Sequence, residues 1–148
     1  MTHTTNEIVI AAPARRIYDL AVATERWPEL LPHYRYVRVL EERNGRRIVE
    51  MAALRDFIPI RWVAEQTSDP DLPSIHFRHI AGWTRGMDVA WRFEPLGSGT
   101  RVTIEHDLAF AFPVAADWLG RHVVSDFFVA NVAGKTLARM KVLAEAPA

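Results

Sequence analysis

The chain has 148 residues, 49% of them apolar and 24% charged, the balance of an ordinary globular protein rather than a disordered or fibrous one. Eighteen basic residues offset eighteen acidic ones, so no net field favours nucleic acid or an anionic membrane surface. With no cysteine, disulfides, thiol nucleophiles and cysteine-ligated zinc are excluded.

The polar first seven residues contain no apolar signal core. Residues 5–10 then close on Ile8-Val9-Ile10 and read as a short strand. Ala12-Pro13-Ala14 opens a helix, with proline where its missing N–H costs nothing and Ile17, Leu20 and Ala21 on one face. That helix must stop before Trp27-Pro28, because a residue preceding proline avoids the α region. Residues 29–31 can add one further turn before Pro32.

From Tyr34 the apolar period changes to two. Residues 34–42 and 47–54 flank Asn44-Gly45, a strong hairpin signal. Arg43, Arg46 and Arg47 around it read as a solvated tip rather than a phosphate site. After Pro59, Ile60, Trp62 and Ala64 alternate with Arg61, Val63 and Glu65. A turn at residues 69–73 leads into a strand over 74–80. Gly86 precedes another over 87–94, in which Met87, Val89, Trp91 and Phe93 share a face. Gly97-Ser98-Gly99 introduces the clearest alternation, Val102, Ile104, His106, Leu108 and Phe110 against Arg101, Thr103, Glu105 and Asp107.

Beyond Pro113, Leu119, Val123, Phe127, Ala130, Gly134, Leu137 and Met140 recur at three- and four-residue steps, which predicts one helix to about Leu143. About thirty helical residues span ~45 Å, enough to lie along a whole sheet. No apolar run approaches the ~18–20 residues of a membrane span, and a cytoplasmic location is the expectation.

Consecutive antiparallel strands joined by tight turns need no crossover helices, which argues against a doubly wound fold. The expected architecture is α+β, a helix-grip. In it, a curved antiparallel sheet of about seven strands wraps a long C-terminal helix, two short helices follow the first strand, and residues 1–148 form a single domain. Where sheet and helix separate, a cavity remains.

The element order, together with Ala12-Pro13, Glu25-Arg26-Trp27-Pro28-Glu29-Leu30 and Trp91-Arg92-Phe93-Glu94-Pro95-Leu96 before Thr100-Arg101-Val102, resembles the SRPBCC (START/birch pollen allergen-like) superfamily. Within it the chain is similar to the polyketide cyclase/dehydrase and coenzyme Q-binding START-like families. The resemblance covers about residues 4–145, and it implies a deep cavity for a polyketide, aromatic or isoprenoid ligand. It also implies that Tyr34 corresponds to a tyrosine that orients and enolises a poly-β-ketone. The arginine that accompanies that tyrosine in aromatase/cyclases falls here on Gln66, which can hydrogen-bond a carbonyl but supplies no fixed charge.

Other candidates come from the residues themselves. His106 shares a face with four apolar residues, so it points inward, either to polarise a carbonyl and accept a proton or as a core histidine satisfied by a neighbour. The resemblance places a polar pocket residue at the same position. His79 points inward if Phe77 does, and in the right register the two histidines meet across the cavity. Trp62, Met87, Trp91 and Phe110 are inward by alternation, as core or as pocket wall, while Trp27 reads as packing for the helical corner. Trp83-Thr84-Arg85-Gly86 reads either as a surface turn or as a cap in which Trp83 and Arg85 meet a polar ligand group.

On the last helix Phe127 belongs to the cavity floor and Asn131 offers a polar anchor, whereas His122 and Asp126 read as a surface pair. The six histidines show no metal-binding spacing, and there is no serine triad, phosphate loop or dinucleotide fingerprint. No metal or cofactor is therefore expected. Two functions remain open: a cofactor-free cyclase, aromatase or dehydratase using Tyr34, His79 and His106, or a non-enzymatic lipid or quinone carrier. Either would be a monomer or a homodimer whose partner is a hydrophobic small molecule, not nucleic acid.

Overall fold

The computed structural model describes residues 2–55, 57–82, 84–108 and 132–147. The period-two segments form seven strands: β1 (Thr2–Ile10), β2 (Tyr34–Arg43), β3 (Arg46–Arg55), β4 (Ile58–Asp69), β5 (Ser74–Gly82), β6 (Met87–Leu96) and β7 (Gly99–Leu108). All pair antiparallel in one curved sheet of order β1-β7-β6-β5-β4-β3-β2. β1 and β2 are neighbours in the chain yet lie at opposite edges, so the segment between them crosses the sheet. That segment carries α1 (Ala14–Val22), a 3-10 turn (Thr24–Arg26) and α2 (Trp27–Leu30), with proline in the first turn of α2.

The C-terminal helix α3 (Gly134–Glu145) follows a π-helical turn at residues 132–133. Its end runs two residues past the Leu143 limit expected from the apolar pattern. Thr136, Leu137, Met140 and Ala144 form its buried face. The rest of the expected helix, including Leu119, Val123, Phe127 and Ala130, lies outside the described residues. Polar ties hold the far end of α3. Lys141 Nζ donates to the Val9 carbonyl at 3.1 Å, Glu145 accepts from the Ala11 N–H at 2.7 Å, and Arg139 donates to the Leu30 carbonyl at 3.1 Å.

Three register shifts bend the sheet. The extra residues are Arg35 and Leu40 on β2 and Ile80 on β5, all with exposed side chains. A bulge raises local twist and resets which side chains face inward. The one at Ile80 puts His79 opposite Ala64 and Gly82 opposite Trp62. Gly82 has φ +95°, and a Cβ there would lie 2.8 Å from the Arg61 carbonyl oxygen. Gly82→Ala is expected to cost more than ~1 kcal/mol, read as a lower urea midpoint at unchanged slope. An unchanged midpoint would mean that the strand end relaxes freely.

The helical corner is tied down by a buried polar junction. Gln66 is 1% exposed; its amide oxygen accepts from Thr24 Oγ1 at 2.8 Å and its amide nitrogen donates to the Val22 carbonyl at 3.1 Å. Arg47 reaches the same corner, pairing with Glu25 at 2.7 Å and Glu42 at 3.2 Å. Of the three arginines around the hairpin, Arg47 is thus a structural tether, while Arg43 and Arg46 remain exposed.

Candidate active site

Between the concave face of the sheet and the start of the C-terminal helical segment lies a cavity of about 40 Å³. Its walls come from every layer. Trp27 descends from α2, Tyr34 and Met51 from β2 and β3, Trp62 from β4, and Phe77 and His79 from β5. Val89 and Trp91 come from β6, Ile104 and His106 from β7, and Val132, Ala133 and Thr136 from the helical side.

The aromatic wall is continuous. Trp27 meets Tyr34 edge-on at 5.0 Å between centroids, and Trp91 and Phe77 at 5.8 and 5.9 Å. Its indole N–H donates to the Ala21 carbonyl at 3.1 Å, so this ring offers a ligand only its apolar surface. Trp62 faces Tyr34 on one side and stacks on His79 at 5.7 Å with planes 10° apart.

The polar points are uncharged by burial. Desolvation raises the Tyr34 phenol, against a smaller opposing effect of its hydrogen bond with Thr136. It therefore stays a protonated donor at neutral pH. Thr136 gathers several bonds: its hydroxyl donates to the Val132 carbonyl at 2.7 Å, and His33 Nε2 lies 2.9 Å from its oxygen. Because that hydroxyl proton is committed to Val132, His33 is the donor in the second bond. Burial chiefly, with Lys135 adding to it, lowers His33 to about 4.

His79 and His106 sit two strands apart, separated by β6, with Val89 registered directly opposite His106 and Phe77. Burial is the main reason that His79 is lowered to about 3, and the nearby His106 lowers it further. His106 is lowered to about 4, again by burial first, with Asp107 opposing and His3 assisting. Two neutral imidazoles and a neutral phenol thus face one aromatic cavity. That set can donate hydrogen bonds to carbonyl oxygens and relay a proton.

The expected site residues separate into three groups. Tyr34, Trp62, His79, Trp91 and His106 line the cavity together. Gln66 is spent on the helical corner, Met87 is fully buried beside β7 rather than on the cavity wall, and Arg85 is exposed on the β5–β6 turn. Trp83, Phe110, Phe127 and Asn131 lie outside the described residues. Trp27, expected only to pack the helical corner, lines the cavity, as does Thr136, which His33 meets. A threonine beside an apolar stripe and a histidine between proline and tyrosine carry no local signal of that role. Among the described residues no cluster of three potential metal ligands occurs, and no helix is long and apolar enough to cross a membrane.

Residues 10–140 match the family model described as polyketide cyclase / dehydrase and lipid transport. The chain is 32% identical over 136 residues to the actinorhodin polyketide synthase bifunctional cyclase/dehydratase of Streptomyces coelicolor, covering 90% of this chain but 41% of that protein. It thus spans less than half of that relative's length. A putative polyketide cyclase of Streptomyces cyaneus is 32% identical over 110 residues, 72% of each chain. Among solved structures, the Zhui aromatase/cyclase from Streptomyces sp. R1128 superposes with a TM-score of 0.86 at 19% identity, covering 97% of this chain and 93% of that one. The fold is the START-like helix-grip, and its relatives are consistent with binding of a hydrophobic ligand.

Proposed function

Because the chain belongs to the polyketide cyclase / dehydrase and lipid transport family, we propose that its cavity folds a poly-β-ketone and promotes its cyclisation and dehydration without a cofactor. The observation that carries this reading is the convergence of Tyr34, His79 and His106, all uncharged at neutral pH, on a mostly apolar cavity.

Holding a flexible chain in one reactive fold supplies several kcal/mol of the barrier by itself. An imidazole takes a proton from a carbon flanked by two carbonyls. The resulting enolate carbon attacks a distal ketone, forming the new C–C bond. The alkoxide recovers the proton from the imidazolium, and loss of the hydroxyl with a neighbouring proton releases one water. Tyr34 and the second imidazole donate hydrogen bonds to the oxygens on which charge develops, which matters most in a site that excludes water. The growing enolate charge also raises the basicity of the imidazole beside it, so a resting value near 4 for His106 does not forbid its use as a base.

The test is turnover of a poly-β-ketone thioester by the purified chain. Tyr34→Phe and His106→Ala are each expected to lower kcat by about 10²-fold with thermal stability retained. Unchanged turnover in both would remove them from the mechanism. The apolar majority of the cavity wall also suits a second reading, a cytoplasmic carrier of a lipid or quinone. Native mass spectrometry separates the two: a co-purifying isoprenoid or fatty-acyl mass, together with no turnover, favours the carrier.

A further inference from the structure

The β5–β6 turn is built to deliver one side chain. The Gly86 N–H donates to the His79 carbonyl at 2.9 Å, Met87 N–H to the Thr84 carbonyl at 3.0 Å, and Arg85 N–H to the Gly82 carbonyl at 3.2 Å. These bonds hold Thr84 with no exposed surface, its Oγ1 2.5 Å from His79 Nδ1. The opposite constraint on the ring is Trp62, stacked on its face.

We infer that Thr84 is a positioning residue that fixes the tautomer of His79, leaving Nδ1 without a proton and Nε2 carrying one. Among the described residues, the Thr84 hydroxyl meets only His79 Nδ1. If Nδ1–H were the donor, the hydroxyl proton would be buried with no acceptor among the described residues, and a buried unmet donor is more costly than a hydroxyl lone pair left unused. With the hydroxyl donating, the one proton of the neutral ring sits on Nε2, the nitrogen Thr84 does not engage. The identity of the turn residue, not of the histidine, decides this.

The consequence for chemistry rests on the function proposed above. A carbonyl reaching Nε2 of His79 meets an N–H, so His79 polarises the ligand and the proton-accepting role falls to His106. No carboxylate is needed to orient the ring; a threonine suffices because the imidazole stays neutral.

Long-range proton–nitrogen correlation NMR of the full chain, labelled at histidine, reads the tautomer directly and needs neither ligand nor turnover. The expected wild-type spectrum at neutral pH has a protonated, upfield Nε2 and a bare, downfield Nδ1 for His79. Thr84→Ser should retain that pattern, and Thr84→Val should lose it, with a mixed or reversed tautomer. A wild-type ring protonated at Nδ1, or a Thr84→Val ring identical to wild type, would overturn the assignment. Should Thr84→Val fail to fold, the wild-type spectrum alone decides. The spectrum as expected with full turnover in His79→Phe would leave the tautomer established and retire the catalytic use of His79 separately.

Discussion

Lowering the pH from 7 to 5 is expected to remove about 3–4 kcal/mol of folding stability through two histidines alone. His79 and His106 are held near 3 and 4 in the folded protein, against 6.5 for an exposed imidazole. In the unfolded chain both rings take up a proton as the pH falls through 6.5, while the folded protein leaves them neutral. The unfolded state then binds more protons, so stability is full above that pH and declines as the pH drops towards the folded values. Each contributes about 2 kcal/mol over this interval, at 1.36 kcal/mol per unit. His33, lowered to about 4 but more accessible, adds a smaller part of the same sign.

Glu145, whose carboxyl is lowered by bonds from the Ala11 N–H and Lys141, acts only at more acid pH. The interval from pH 7 to pH 5 therefore reports on histidines, of which His3, raised by its hydrogen bond with Asp107, acts with the opposite sign. Urea unfolding at the two pH values measures the effect, and His106→Gln should remove roughly half of it. A midpoint that does not move between pH 7 and pH 5 would mean that the rings are hydrated or paired in the folded state.

Trp27→Ala is expected to cost about 3–5 kcal/mol, the range for deleting a buried large aromatic. Trp27 is 3% exposed and touches Tyr34, Phe77 and Trp91 within 6 Å between ring centroids. It is the link through which the short α2 grips the inner face of the sheet. Truncation would enlarge the cavity and leave the buried Ala21 carbonyl without the indole donor. Trp27→Phe keeps most of the contact and loses the hydrogen bond, so a loss nearer 1–2 kcal/mol is expected. Urea melts of the three proteins give the comparison. A loss below ~1 kcal/mol for the alanine variant would show that α2 is not held by this ring. Ligand capacity should respond as well: the wider cavity of Trp27→Ala should accept bulkier aromatic probes than the parent.

Much of the cavity wall was legible from alternation. Trp62, Trp91 and His106 each lie on the apolar face of a period-two run, and a strand has only two faces. His79 was conditional, because inward placement required Phe77 to point inward and the Ile80 bulge to fall after it rather than before. The structure has that arrangement. Tyr34 came from the resemblance rather than from pattern, since β2 is half-buried or exposed beyond its first residue and shows little alternation of burial.

Short-range periodicity encodes seven strands, their turns, the faces they bury and a helical C-terminus. What each buried polar group is joined to follows from tertiary contacts. Gln66 has the same inward phase as Trp62, yet it closes on Thr24, 42 residues away, and serves the scaffold. His33 meets Thr136 across 103 residues, and Trp27 turns from a corner residue into cavity wall. The difference is one of range. Burial of one face repeats every two or 3.6 residues and is written locally, whereas a hydrogen-bond partner is chosen by the closing of the grip, after strand register and bulges have brought distant side chains within 3 Å.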